Sequence, residues 1–482
     1  MLLQLTTLAI LGRLLAPEDF GLVAAALVVV NFSTIFAQLG VNQALVQHAD
    51  LPPNAASAAF VITVGLGAVL CLAVYAAAPS IAAGLDLDGA APLLQLLGFV
   101  FLLRAAGSTA EALLLRNLRF RAVALVDLVA YGIGYGAVAV TLAWLEAGPW
   151  ALVIGHLSHA GLRSILAFAL RPHRVIGGVR GTFVRTALRF GSGFSLARIA
   201  NYIALQADNL IVARTLGAAA VGHYSRAYQL MGMPASLIAN ALDRVLFPTF
   251  ARQQADIPML RDAYLRGTAL LAFTCLPLGI GAAIMAPEVV LMVLGDQWDA
   301  VVPPFQVFAL TMAFRVGDRL NAVVVRAVGA VFRRALLQVA YAAAVIGFAA
   351  AGSRYGLVGV AIGVATALTL NYVAGTLLVL HVVSGAVRAP LAAAMAAAPA
   401  TAALAITTAL VAWTARSLGF APWAVVLATL TVTGAATALS VWWSPRRWLG
   451  AQAPWLAATV RAFVISPRPA LERWLARLER VG

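Results

Sequence analysis

Residues 305–326 read FQVFALTMAFRVGDRLNAVVVR, an apolar run with Arg315, Asp318 and Arg319 at its middle. A charge at the centre of a bilayer costs roughly 2.5–3.5 kcal/mol on insertion scales, so such residues are kept for a use. A second run carries the same device, because Pro92-x2-Gln95-x8-Arg104 returns as Pro303-x2-Gln306-x8-Arg315. Each arginine lies about 12 residues, or about 18 Å, into its run at 1.5 Å per residue. A guanidinium grips phosphate oxygens through a bidentate fork. Two of them at that depth, one on each wall of a central cavity, suit a doubly charged anion. Arg198 adds to the set, since Arg198, Asn201 and Asp208 follow one helical face of GSGFSLARIANYIALQADNLIVAR. Arg104, Arg315, Arg198 and Arg319 are therefore the candidate anion contacts. Asp208 and Asp318 are candidates for coupling to a proton or sodium gradient.

Structural readings compete at each of these places. Arg315 and Asp318, at i and i+3, are placed to neutralise one another on one helix. Arg104 and Glu111 form an i,i+7 pair, or Arg104 reaches inner headgroups along its own stem. Asp208 finds a partner in Arg198 or Arg226. Arg13 and Arg214, at outer span ends, read as interface anchors rather than ligands.

The elements that position these residues are membrane spans. The 482-residue chain is 62% hydrophobic and only 11% charged, and its mean hydropathy is +0.93. A soluble protein of this length needs far more surface charge, and long apolar runs recur from end to end. About 20 such residues cross a bilayer as a helix. Reading for apolar runs broken by polar loops yields about fourteen spans. They begin near Leu2, Phe20, Ser57, Ala91, Ala122, Trp150, Gly191, Ala219, Ala263, Val302, Ala335, Leu357, Leu391 and Pro422.

Loop charge orients them. Basic clusters such as Arg116/Arg119/Arg121 alternate with loops holding Glu18/Asp19, Asp86/Asp88 and Glu146. The positive-inside rule then places both termini in the cytoplasm. The first run is only about 14 residues long, short for a crossing, so a piece of chain upstream of Met1 is expected. Residues 470–482 put Leu471, Trp474, Leu475, Leu478 and Val481 on one face, as in a helix lying on the inner membrane surface.

A second repeat supports the first: Arg13-x-Leu15-x5-Gly21 returns as Arg214-x-Leu216-x5-Gly222. Both repeats occur in the same order, six spans apart, so the halves share one orientation. The expected fold is an all-α polytopic membrane protein of about fourteen transmembrane helices. It comprises two pseudo-symmetric six-helix lobes, at 1–176 and 177–386, two further helices at 387–445, and an amphipathic cytoplasmic tail at 446–482.

Other chemistries fall away. The net charge of +15 comes entirely from arginine, and no polar basic domain exists to bind nucleic acid. Cys71 and Cys275 both lie in apolar segments, so no disulfide framework is implied. His156 and His159 share a face but have no neighbouring carboxylate or cysteine in sequence, which argues against a metal. Asp86-Leu-Asp88 resembles a metal-binding motif of sugar-nucleotide transferases, yet its loop is expected outside, away from such donors. The chain has no lysine, so a phosphate-binding Gly-Lys-Ser/Thr loop is excluded. No cofactor is called for.

Two stretches carry a family resemblance. LGRLLAPEDFGLVAAALVVVNFSTIFAQLGVNQALVQ resembles the first two helices of bacterial polysaccharide transporters, the O-antigen and exopolysaccharide flippases. These belong to the multidrug/oligosaccharidyl-lipid/polysaccharide exporter superfamily. FGSGFSLARIANYIALQADNLIVARTLGAAAVGHYSRAYQL is similar to that family's seventh and eighth helices. The resemblance implies two lobes around a central cationic cavity. It also implies transfer of polyprenyl-pyrophosphate-linked oligosaccharide to the outer leaflet, for lipopolysaccharide or exopolysaccharide synthesis. The lipid-linked oligosaccharide and membrane lipids would be partners, with glycan polymerase and chain-length proteins beside them. Two alternatives come from the same superfamily, a cation-coupled multidrug exporter and a flippase for the peptidoglycan precursor lipid II. The first should favour buried acids, whereas this chain has surplus arginine. An integral-membrane enzyme would want a sizeable outer loop, which the span pattern does not leave.

Overall fold

The computed structural model describes residues 2–37, 41–47, 54–87, 89–175, 195–252, 256–395 and 397–443. These are almost wholly helical, with no strand among them. Among the described residues, seven helices are long and apolar enough to cross a membrane, and an eighth is added if one pair bent by 44° counts as a single span. The sequence pattern counts more because it also admits charge-bearing helices, such as the one that holds Arg198, Asp208 and Arg214. Outward faces are apolar: Leu72 is 69% and Leu336 72% exposed. Water would not tolerate that coverage on a monomer, whereas hydrocarbon requires it. The chain is a multi-pass membrane protein.

It packs into two compact units, Met1–Ser225 with Val293–Trp298, and Arg226–Met292 with Asp299–Gly482. The first unit begins with α1 (Leu2–Leu14), α2 (Pro17–Ala37), α3 (Val41–Gln47), α4 (Ala55–Leu85), α5 (Ala90–Leu97) and α6 (Phe99–Arg116). Then come α7 (Phe120–Tyr131), a π-helical turn (Gly132–Ala139), α8 (Val140–Trp144), α9 (Pro149–Leu170), α10 (Ser195–Leu216) and the start of α11 (Ala218–Arg252). Asp86, of the Asp86-Leu-Asp88 motif, takes a left-handed conformation and caps α4, its amide donating back to Ala82 and Ala83. That is a structural duty; Asp88 lies outside the described residues.

A helix leaves its last carbonyls without intrahelical donors, and α1 has them met from far along the chain. The Trp298 indole and the Gln297 amide each donate to the Gly12 carbonyl at 2.7 Å, and Gln297 also reaches Leu15 at 3.1 Å. Trp298 is fully buried, edge-on to Phe20. Arg13 donates to Ala9 and Val293, and Arg214 to Gly84. Both expected interface anchors thus engage backbone carbonyls.

The glycines equated by the second repeat meet each other. A Cβ on Gly21 would fall 1.7 Å from the Ala218 oxygen, and one on Gly222 would fall 1.9 Å from the Pro17 oxygen. Neither residue can be anything but glycine at this approach. The two contacts are reciprocal under one sequence offset, as a two-fold relation produces.

The second unit holds the rest of α11, α12 (Ile257–Ile284), α13 (Ala286–Val293), α14 (Val302–Leu310) and α15 (Met312–Ala327). It continues with α16 (Val331–Gly352), α17 (Gly356–Val382), α18 (Arg388–Met395), α19 (Ala398–Ser417) and α20 (Pro422–Trp443). Arg416 of α19 forks onto Glu288 of α13, with Nε–Oε1 2.6 Å and Nη2–Oε2 2.8 Å. Arg416 thereby ties two helices. The expected tail helix at 446–482 lies outside the described residues.

Candidate functional site

Helix α5 stops at Gly98 and α6 restarts at once, so the apolar span of Ala90–Arg116 is broken a few residues before Arg104. Helix α6 then packs closely on α9. A Cβ on Gly107 would lie 2.5 Å from the Ser164 Cα, and Ser164 Oγ donates to the Leu103 carbonyl at 2.5 Å. Small residues at a helix crossing let backbones approach this way in membranes. The π-turn following α7 presses on the same helix from another side, where a Cβ on Gly134 would lie 2.6 Å from the His159 amide nitrogen. A π-turn widens the helix by one residue, a distortion common at functional sites. Here it brings Tyr135 onto His156.

Helices α3, α6 and α9 line a cavity of about 480 Å³ in the first unit, with Asn42, Arg104, Ser108, Glu111, Arg163 and Ser164 among its walls. Its lining along α6 runs from Arg104 to Leu115, a rise of about 16 Å. It thus extends toward the helix end that leads to Arg116, Arg119 and Arg121.

Charge is distributed unevenly around this space. Arg163 Nη2 donates to Glu111 Oε1 at 2.7 Å, and its Nε lies 3.6 Å from Asp127 Oδ1. His159 Nε2 is also 3.6 Å from that Asp127 oxygen. Glu111 is therefore taken by Arg163 and not by Arg104 on its own helix. Among the described residues Arg104 forms no ion pair; its Nη2 sits 3.3 Å from His156 Nε2. Tyr135 OH is 2.7 Å from His156 Nδ1. A guanidinium only donates, so His156 Nε2 accepts; the neutral ring then carries its proton on Nδ1 and donates to the Tyr135 oxygen. The result is a cation at a cavity wall whose neighbour is neutral. Such an arrangement leaves the guanidinium with the chemistry to accept an anion as partner.

Among the other sequence candidates, Arg315, Asp318 and Asp208 have their own partners. In the second unit Arg315 donates to the Tyr228 hydroxyl, and its guanidinium carbon stands 4.5 Å from that ring's centroid, within cation–π range. Asp318 pairs with Arg334 of α16 at 2.6 Å, not with Arg315 on its own helix. Arg319 is exposed. A void of about 50 Å³ in this unit is lined by Tyr264, Asn321 and Tyr372 but not by Arg315. Asp208, in the first unit, is 1% exposed and accepts from the Tyr224 hydroxyl at 2.8 Å and the Asn209 amide at 2.9 Å. Arg198 belongs to α10, but its side chain lies outside the described residues, as do those of Asp243 and Arg244.

Sequence reading passed over His156, Tyr135 and the Arg163–Glu111 pair as parts of a site. A signal was present in two stripes, Arg104/Ser108/Glu111 at i,i+4,i+7 and His156/His159/Arg163 at i,i+3,i+7. No group of three metal-ligating side chains occurs among the described residues.

Comparison with known proteins gives a consistent picture. The succinoglycan biosynthesis transport protein ExoT of Rhizobium meliloti is 30% identical over 316 residues, 64% of this chain and 62% of that protein. The lipopolysaccharide biosynthesis protein WzxC of Escherichia coli is 26% identical over 324 residues, 66% of this chain and 65% of WzxC. The chain thus spans less than two thirds of the length of these relatives. Among solved structures, the lipid II flippase MurJ in an inward closed conformation superposes with a TM-score of 0.70 at 12% identity, covering 92% of this chain and 96% of MurJ. An inward-facing multidrug resistance transporter of the MATE family matches with a TM-score of 0.66 at 17% identity, over 80% of this chain and 94% of that one. At these identities the likeness is one of fold alone. A family model described as polysaccharide biosynthesis protein matches residues 10–303, more than half of the chain, including the whole α6–α9 cavity. On that match, this chain belongs to the polysaccharide biosynthesis protein family.

Proposed function

We propose that the chain moves a polyprenyl-diphosphate-linked oligosaccharide across the cytoplasmic membrane, for lipopolysaccharide or exopolysaccharide synthesis. A diphosphate must cross about 30 Å of hydrocarbon, and a cationic, water-filled wall lowers that barrier. Arg104 is the group that carries the reading: a guanidinium at a cavity of about 480 Å³, without a carboxylate of its own. Arg315, Arg198 and Arg319 are proposed as further contacts during passage, and Asp208 and Asp318 as coupling groups. The polyprenyl tail stays in lipid while the headgroup passes. In this reading the protein has about fourteen spans, lobes at 1–176 and 177–386, two added helices at 387–445, and both ends in the cytoplasm. Glycan polymerase and chain-length proteins are its proposed neighbours. The names of ExoT and WzxC support glycan export over drug efflux.

The test is export of the cognate glycan in a strain lacking the gene and complemented with Arg104→Ala. The expected result is normal insertion with surface glycan lost. Normal export from that variant overturns the assignment. Proteoliposomes offered lipid II or an organic cation instead of a lipid-linked glycan separate the two superfamily alternatives.

A further inference from the structure

His156 does more than fill space beside Arg104. It is 8% exposed, and both ring nitrogens are engaged, Nε2 by Arg104 and Nδ1 by Tyr135. In the neutral ring this works, because Nε2 accepts from the guanidinium. A proton added at Nε2 turns that contact into donor against donor and cation against cation. The proton therefore frees Arg104 from the ring, and the space open to Arg104 is the cavity it already lines.

The surrounding groups decide what an imidazolium would then donate to. From α6 come Arg104 and Glu111, the latter held by Arg163. From α7 comes Asp127, 3.6 Å from both His159 and Arg163. The π-turn supplies Tyr135, and α9 itself supplies His159 and Arg163. Helices α5 and α8 carry no titratable side chain. Helix α2 brings only Glu18 and Asp19, and Asp19 meets the chain at Gly148, at the start of α9, about 12 Å along the axis from His156. Every nearby carboxylate is thus committed elsewhere. An anion entering the cavity is the acceptor that Arg104 lacks, and its charge also favours a protonated His156 behind that guanidinium.

From this juxtaposition we propose that His156 is a proton site coupled positively to anion binding at Arg104, so that the cavity takes its diphosphate together with a proton. The proposal rests on the anion-binding reading above. Linkage makes it reciprocal: anion raises proton occupancy by the factor by which the proton raises anion affinity. Proton and anion would travel as companions, not as exchangers.

The test uses the full chain in lipid nanodiscs and farnesyl-diphospho-N-acetylglucosamine as probe. A diphosphate diester has no group that titrates between pH 5.5 and 7.5, so any pH effect belongs to the protein. Calorimetric titration should show affinity rising severalfold from pH 7.5 to 5.5, most steeply at the acid end. Repeating it in buffers of different ionisation heat should show proton uptake on binding. His156→Gln, whose amide oxygen accepts from Arg104 but takes no proton, should bind with an affinity flat across the range and no uptake. An unchanged pH slope in that variant, or a wild-type affinity that is flat or falls on acidification, overturns the coupling. Uptake by the wild type decides the matter should the variant not fold. Arg104→Gln separates the two layers. If it binds like wild type, the Arg104 reading falls; if it loses binding while His156→Gln keeps the slope, only the coupling falls.

Discussion

Arg104 and Arg315 occupy matching places in the repeat and follow matching breaks, at Gly98 between α5 and α6 and at Thr311 between α14 and α15. Their surroundings differ. Arg104 faces a cavity of about 480 Å³ beside a neutral histidine. Arg315 is capped by the hydroxyl and ring face of Tyr228 and does not line the void of about 50 Å³ in its own unit. The repeated spacing sets depth and backbone geometry, while the neighbouring helix sets the chemistry. Helix α9 brings His156 and a groove of small residues; α11 brings an aromatic ring. The carboxylates are likewise divided, Glu111 lying in a pair about one-third exposed and Asp318 in a pair whose side chains are each 14% exposed.

That last difference carries the largest expected effect. Arg334→Ala strands the Asp318 charge, and breaking a buried pair in this way costs about 3–5 kcal/mol. Adding Asp318→Asn should restore most of it. Glu111→Gln should cost only about 1 kcal/mol, because its pair is partly exposed and Arg163 keeps Asp127 nearby. Thermal unfolding in detergent of the four proteins checks this; equal losses at Arg334 and Glu111 break the contrast between the units.

Next in size is the anion itself. Removing a charged hydrogen-bond donor costs about 1.5–3 kcal/mol, so Arg104→Ala should weaken diphosphate binding by about thirtyfold. Arg315→Ala should weaken it by only about fivefold, since Arg315 must leave Tyr228 to engage an anion and the exchange offsets much of one charged hydrogen bond. Affinity for the same diphosphate diester in both variants measures the asymmetry, and a greater loss at Arg315 reverses it.

Much of this was legible in the amino-acid order. Arg104 and Arg315 stood out because charge in an apolar run is rare, and Gly21 and Gly222 because the spacing around them recurs. The reciprocal approach of those glycines is the structural counterpart of that repeat. Partners were not legible, because they come from other helices. Asp318 had an obvious neighbour three residues away in Arg315, yet pairs with Arg334 sixteen residues on, across a helix turn. Glu111 had Arg104 on its own helix and pairs with Arg163 of α9. Helical periodicity orders residues on one face; it does not say which face of which helix lies opposite. The π-turn was invisible too, since GIGYGAVA reads as an ordinary apolar stretch. Only packing against His159 shows why Gly134 matters.

The smallest effect resolves what holds Arg315. Two interactions act from one side chain: the Tyr228 hydroxyl accepts from Nη1, and the ring lies under the guanidinium carbon at 4.5 Å. Tyr228→Phe removes the first and keeps the second, and should cost about 0.5–1.5 kcal/mol, the net worth of one hydrogen bond. Tyr228→Leu removes both, adding the about 0.5–2 kcal/mol of a partly desolvated cation–π contact. Thermal unfolding with Arg315→Ala as the shared background isolates the coupling, because each Tyr228 change should then lose its Arg315-dependent part. If Tyr228→Phe and Tyr228→Leu couple equally to Arg315, the ring contributes nothing and the hydroxyl carries the whole of Tyr228's hold on it. The contrast between the two arginines would then rest on that one hydrogen bond, without the ring contact that the geometry implies.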